Sequence, residues 1–188
     1  MKETKNPIAL QSKNWIITSL LELMKKYKYS EITIKDITKK ADLDRRTFYR
    51  HFQSKDDVIC ACIKTICDEY IGTLQSEKSP SAYTTAKIYF TICLKHLDFL
   101  ILMNKHGLSG FLFTKYNEYM PRLQDNDVSP ELKLNYGDHI TYLYAFNNGG
   151  FWALTLKWLE NGAIQSPDEM AEVICKILHG MLNCNLTA

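Results

Sequence analysis

The chain has 188 residues, 46% hydrophobic and 12% aromatic, with a formal net charge of +2. This suits one compact domain, or a small domain fused to a larger one, with ample apolar material for a core. The longest apolar run, FLILM at 99–103, is too short to span a bilayer, and the opening MKETKNPIAL has no signal-peptide core, so a soluble cytoplasmic protein without a membrane partner is expected.

The total charge hides an asymmetry. Residues 1–59 hold 13 Lys and Arg against 8 Asp and Glu, whereas the remainder holds 10 against 13. A basic front fits a polyanion, and a mildly acidic rear fits another task.

Apolar spacing is helical throughout and strand signals are almost absent, which predicts an all-α fold of about nine helices. Asn6-Pro7 opens the first helix, with Ile16, Ile17, Leu20, Leu23, Met24 and Tyr27 on one face to about residue 28. Thr33 caps a second helix, with Asp36 as its acidic first-turn partner. Ala41-Asp42-Leu43 forms a turn, and Asp44 caps a third helix running to about Phe52. Ser54 caps a fourth, with Asp56 and Asp57 in its first turn, that ends in the polar stretch 75–81. Ser79-Pro80 opens the next, with a break near 95–97 and interruptions at Gly107 and Gly110. An aromatic helix then runs to Pro121, and 122–130 is a polar loop. A long helix spans about 131–160, contains Gly149-Gly150, and stops at Asn161-Gly162. The two glycines cost it roughly 2 kcal/mol relative to alanine, so they kink it or admit a close neighbour. The last helix starts at Ser166-Pro167. The expected division is a helix-turn-helix domain over 1–53 and a regulatory and dimerisation domain over 54–188, with the helix at about 54–76 as connector.

Six cysteines (Cys60, Cys62, Cys67, Cys93, Cys175 and Cys184) contain no CxxC, and no His pair stands at zinc spacing. Small buried hydrophobes in a reducing cytosol is the expectation, with a redox-sensing thiol as the alternative. No metal or other cofactor is expected. Nor is an enzyme: there is no GxSxG, no phosphate loop and no paired carboxylates with a base, and a helical enzyme remains a remote alternative.

The chemistry concentrates in Thr33–Lys55. Arg45, Arg46, Thr47, Tyr49, Arg50 and His51 crowd the third helix beside Phe48 and Phe52, the pattern of a helix that enters a DNA major groove on an apolar anchor. Thr33 stands at a helix N-terminus, where free N–H groups favour an anion. Tyr49 and Lys55 can reach phosphates. Arg45 and Arg46 occupy the first turn, the end that meets base edges, and arginine pairs with guanine through two bonds. The bland alternative is a solvated basic face.

The segment ITIKDITKKADLDRRTFYRHFQSKDDVI resembles the DNA-binding signature of the TetR family of bacterial transcriptional regulators, over about residues 8–60. Ile32, Thr33, Ile34, Ile37, Thr38, Ala41, Leu43, Thr47, Phe48, Tyr49, His51, Phe52, Ser54, Lys55 and Ile59 match its pattern. The resemblance implies phosphate or base contacts at Thr33, Thr47, Tyr49, His51 and Lys55, with Arg45, Arg46 and Arg50 at variable positions suited to sequence-specific reading. Asp42 replaces the usual turn glycine, and Asp tolerates a left-handed backbone better than most residues. Asp44 replaces the usual serine cap.

The resemblance also implies a homodimer built on the last two helices and a ligand pocket. The dimer interface is expected at Leu154, Trp158, Met170, Val173, Ile174, Ile177, Leu178 and Met181, because these helices carry more apolar surface than a small bundle hides. Phe90, Phe99, Phe111, Tyr116, Tyr144 and Phe151 are candidates to line a pocket for a small lipophilic or aromatic effector, the alternative being ordinary core. His96, His106 and His139 are assigned to capping or surface. The expected function is a homodimeric repressor of a palindromic double-stranded operator, released by a small molecule. An activator of the same fold, or a regulator whose rear domain binds a protein partner, stays open.

Overall fold

The computed structural model describes residues 7–120 and 134–183. These contain nine α-helices and no strand: α1 (Pro7–Met24), α2 (Ile34–Lys40), α3 (Arg45–His51), α4 (Lys55–Gln75), α5 (Ala82–Lys95), α6 (Leu97–Lys105), α7 (Ser109–Tyr119), α8 (Ile140–Glu160) and α9 (Pro167–Asn183). Single 3-10 turns stand at Tyr29–Glu31 and Gly137–His139. The expected polar loop at 122–130, the start of the helix expected from 131, and Cys184 lie outside the described residues.

The chain divides into two compact units: residues 1–65 with 98–112, and residues 66–97 with 113–188. The boundary therefore falls inside α4 rather than before it, and α6 with its following turn joins the front unit. No sequence pattern marks that second feature.

The caps expected from local chemistry form. Thr33 Oγ1 accepts from the Asp36 amide at 3.2 Å while Asp36 accepts from the Thr33 amide at 2.9 Å, a reciprocal box that satisfies two orphan donors of α2. Ser54 and Asp57 do the same at α4, and Ser166 and Glu169 at α9. The α5 cap is Ser81 rather than Ser79, since its hydroxyl takes the Thr84 amide at 3.1 Å. α8 ends in a turn through Gly162 at φ 80, where the Ala163 amide returns to Trp158 O at 2.8 Å.

One helix end departs from expectation. α1 stops at Met24 rather than near residue 28. A further turn would bring the Lys28 amide to Met24 O; instead that carbonyl accepts from His106 Nε2 at 2.8 Å, and Lys28 is extended. Tyr27 consequently faces solvent.

The front unit's core is formed by Ile16, Leu20 and Met24 of α1, Ile37 of α2, Phe48 of α3, Val58 and Ile59 of α4, and Met103 of α6, all essentially sealed from solvent. In the rear unit α9 lies along α5. Their first turns are pinned by Asp168, which accepts from Tyr83 Oη at 2.7 Å and pairs with Lys87 at 2.6 Å. Phe90, Ala86, Trp158, Ala171 and Thr155 are buried there. Cys67 and Cys93 are buried, and Cys60, Cys62 and Cys175 half-buried. Burial pushes the Cys62 thiol up to about 11 and the Cys93 thiol up to about 12, which disfavours the thiolate a redox sensor needs.

Candidate nucleic-acid interface

α3 is a seven-residue helix, too short to persist without tertiary support. Phe48 supplies that support: it is fully buried, with Phe52 beside it at 5% exposure. The turn before α3 is held by the Leu43 amide on Thr38 O at 3.0 Å and by Asp42 at φ 53. An aspartate thus occupies the left-handed position, as expected where glycine is usual. Asp44 Oδ1 accepts from the Thr47 amide at 2.6 Å. That bond, with lesser help from Arg50 and Arg46, holds the Asp44 carboxyl below its ordinary range. Its negative charge is spent on the cap and the helix dipole rather than left facing a phosphate.

The opposite face is open and cationic. Arg45, Arg46, Tyr49 and Arg50 are exposed, and their i, i+4 spacing sets Arg45 over Tyr49 and Arg46 over Arg50. Arg45 Nη2 donates to Tyr49 Oη at 3.3 Å, with its guanidinium carbon 5.9 Å from the ring centroid. The ring orders the guanidinium before any partner arrives, which lowers the entropy lost on binding. Thr47 is half-buried at the edge of this face.

Three expected contacts are engaged inside the unit. Lys55 does not present a free ammonium: Nζ donates to Tyr29 O at 2.5 Å and Ile32 O at 2.9 Å, and sits 4.4 Å from the Tyr29 ring centroid. It closes the 3-10 turn instead of reaching outward. His51 turns toward α1, with Nε2 2.8 Å from Ser12 Oγ; desolvation, then Arg50 and Lys13, lowers its pKa. Thr33 is exposed, yet its hydroxyl donates to Asp36 Oδ2 at 2.6 Å, so a phosphate there meets a carboxylate. A groove of about 530 Å³ lined by Leu23, Tyr27, Glu31, Ile32, Asp36, Lys39 and Lys40 includes none of the expected DNA contacts.

The turn at Tyr29, which joins α1 to α2, was not legible in the sequence. Tyr29 gives its hydroxyl hydrogen to Asp56 Oδ1, its carbonyl to Lys55 and its amide hydrogen to His106 Nδ1. Burial, then the bond to Asp56, raises its phenol pKa strongly. Only Tyr27, Tyr29 and Ile32, apolar or aromatic residues in an otherwise polar connection, hinted at a docked turn.

In the rear, the six aromatics expected to share a pocket do not fall in one unit: Phe99 and Phe111 belong to the front, and Phe90, Tyr116, Tyr144 and Phe151 to the rear. Phe90 packs edge-on against Trp158 and Tyr89, at 5.5 and 5.2 Å between centroids, and Phe151 meets Tyr89 at 4.8 Å. Of the expected interface residues, Trp158, Met170 and Ile174 are buried within the unit, with Trp158 Nε1 donating to Gln165 O at 3.0 Å. Met170 and Ile174 are core because α9 turns that edge of its stripe toward α5, and Trp158, on α8, is core through its packing against Phe90. Leu154 and Leu178 are half-buried, and Val173 and Ile177 exposed at 37% and 38%. The Met181 side chain lies outside the described residues. Tyr142 and Phe146 on α8, exposed at 73% and 60%, were not among the expected interface positions. They share a face with Gly150 and Ala153, and a Cβ added at Gly149 or Gly150 meets nothing within 4 Å.

Comparison with known proteins agrees with the front unit's geometry. Residues 16–62 match the family described as bacterial regulatory proteins, tetR family. A Bacillus subtilis (strain 168) protein named as the uncharacterized HTH-type transcriptional regulator YxbF is 37% identical over 62 residues, covering 33% of this chain and 16% of that protein. This chain thus matches about a sixth of that relative's length. Among solved structures, the fatty acid degradation regulator FadR from Bacillus halodurans superposes with TM-score 0.59 at 16% identity, covering 96% of this chain and 99% of that one. A TetR transcriptional regulator from Streptococcus agalactiae 2603V gives 0.56 at 18% identity, covering 93% and 94%. At these identities the structural likeness speaks for the fold alone, and the match to the tetR family of bacterial regulatory proteins covers residues 16–62, the segment that carries α2 and α3.

Proposed function

We propose that the chain is a cytoplasmic, homodimeric DNA-binding transcriptional regulator that represses from a palindromic operator. The observation that carries this reading is α3: Arg45, Arg46, Tyr49 and Arg50 exposed on one face, Phe48 sealed behind them. Such a helix enters a major groove with its first turn at the base edges, so Arg46 and Arg45 read bases while Tyr49 and Arg50 meet the backbone. Phosphate contacts supply most of the affinity and make it fall steeply with salt. YxbF and the Streptococcus protein are named as transcriptional regulators, which supports the class.

Two half-sites require two copies related by a two-fold axis. The exposed stripes Tyr142, Phe146, Gly150 and Ala153 of α8 and Val173 and Ile177 of α9 support a seam between copies, since apolar stripes of this extent are costly in water. The effector proposed for the rear unit is a small lipophilic molecule that favours a geometry whose reading helices no longer match groove spacing of about 34–36 Å.

The test is a mobility-shift assay on duplexes selected from a random pool by the wild-type chain, repeated with Arg46→Ala and Tyr49→Phe. Arg46→Ala is expected to lose sequence preference and Tyr49→Phe to weaken binding. Unchanged binding by both refutes the assignment of α3.

A further inference from the structure

The front unit contains a piece of chain that enters from the rear unit and returns to it. Residues 98–112 belong to the front, whereas the stretches before and after them, 66–97 and 113–188, form the rear. The chain connects the two units within α4 and at both ends of this excursion. Met103 of α6 fastens this excursion to the front unit's apolar core, and His106 adds a polar tie to the end of α1 and to the Tyr29 turn.

His106 follows the last turn of α6. Its own amide returns to Leu102 O at 3.2 Å, and the Leu108 amide returns to Met103 O at 3.0 Å around Gly107 at φ 69. This left-handed closure fixes the residue rigidly to the helix end. Its imidazole then bridges two backbone groups of a different segment. The Tyr29 amide lies 3.3 Å from Nδ1, and Met24 O lies 2.8 Å from Nε2. An amide can only donate and a carbonyl only accept, so the ring must be neutral with its proton on Nε2. Met24 O is the carbonyl at which α1 ends, and Tyr29 opens the turn that leads through Ile32 to the α2 cap.

Tyr29 is also the residue on which the start of α4 closes, through Lys55 on its carbonyl and Asp56 on its hydroxyl. One short turn thus receives α6 through its amide and α4 through its carbonyl and phenol. From there the chain passes by Ile32, buried and with its carbonyl held by Lys55 at 2.9 Å, into α2. α2 in turn fixes α3 through Thr38 and Leu43.

We propose that His106 is the coupling residue of this regulator: its imidazole ties the excursion 98–112 to the Tyr29 turn, so that occupancy of the reading helix and order in the excursion depend on each other. The inference rests on the reading of α3 as the DNA-contacting helix. His106 touches no DNA in this scheme and acts as a positioning residue. Because coupling is reciprocal, DNA can serve as the probe in place of an unidentified effector.

The experiment is amide hydrogen exchange on the full-length wild-type chain, His106→Ala and His106→Gln, each free and saturated with a selected duplex. In the wild type, saturation is expected to slow exchange at α3, at Tyr29 and across 98–112. In the alanine chain protection of α3 persists, while the DNA-induced protection of 98–112 is markedly reduced and free-state exchange at Tyr29 rises about fivefold, the factor matching one typical intramolecular hydrogen bond. Glutamine, which retains a donor and an acceptor, restores part of both effects. Equal DNA-induced protection of 98–112 in wild type and alanine chains overturns the inference. So does a wild-type nitrogen spectrum with the His106 proton on Nδ1, a readout that stands even if the alanine chain fails to fold. A wild type that selects no duplex at all refutes the DNA reading itself, which separates the two failures.

Discussion

Lys55→Met separates two roles that its sequence position cannot distinguish. In the structure the ammonium bonds to Tyr29 O at 2.5 Å and Ile32 O at 2.9 Å and lies over the Tyr29 ring. Methionine keeps the apolar stem against the ring and deletes the charge. Hydrogen bonds to charged groups contribute about 1.5–3 kcal/mol each, and the acceptors here are part-buried with partial access to water, so a loss of about 2–3 kcal/mol is expected for the pair. A phosphate contact has another signature: each one adds about 0.9 to the slope of log affinity against log salt. The assay is urea unfolding of wild type and Lys55→Met by circular dichroism, with salt titrations of duplex binding for both. The expected result is a lowered unfolding midpoint with an unchanged salt slope, affinity falling only as the reading helix loses its support. An unchanged midpoint together with a slope shallower by about 0.9 refutes the clamp and restores Lys55 as a phosphate contact.

Other consequences follow from the same packing. Trp158→Ala removes a side chain 2% exposed with a bonded indole and is expected to cost about 3–5 kcal/mol; a loss under about 1 kcal/mol in denaturant unfolding contradicts its placement in the core. Phe146→Glu puts a charge on an exposed position of α8, so sedimentation is expected to show a monomer of unchanged helicity, and a persistent dimer removes α8 from the seam. His51 has its pKa lowered below 6.5 mainly by desolvation, so the unfolded chain takes the proton first. Stability is therefore full above about pH 6.5 and declines as pH falls below it, toward and through the lower folded value. His51→Gln should flatten that part of a urea-midpoint profile, and an identical profile denies the desolvation of His51 in the folded chain.

What was legible in the sequence was local. Thr33 with Asp36, Asp44 before Arg45, Ser54 with Asp57 and Gly162 after Asn161 each act within a few residues, so spacing alone located them. Phe48 and Phe52 declared the inner face of α3 by periodicity, and the exposed arginines followed. Lys55 and His51 misled because their partners, Tyr29 O and Ser12, are 26 and 39 residues away, and composition carries no record of such distances. His106 was hidden more deeply, since both its bonds are to backbone atoms and leave no side-chain complementarity to detect. The final helix shows the remaining limit. Met170, Ile174, Val173 and Ile177 form one broad stripe, and hydrophobic spacing cannot say which edge meets α5 and which is left for a second copy.

The central claim, that two copies of α3 read one duplex, is met most directly by footprinting the wild-type chain on its selected duplex across a salt series. The account predicts two protected major-groove patches about 10–10.5 base pairs apart, or a multiple of it, with affinity falling steeply as salt rises. A single patch, or protection without sequence preference, would contradict it.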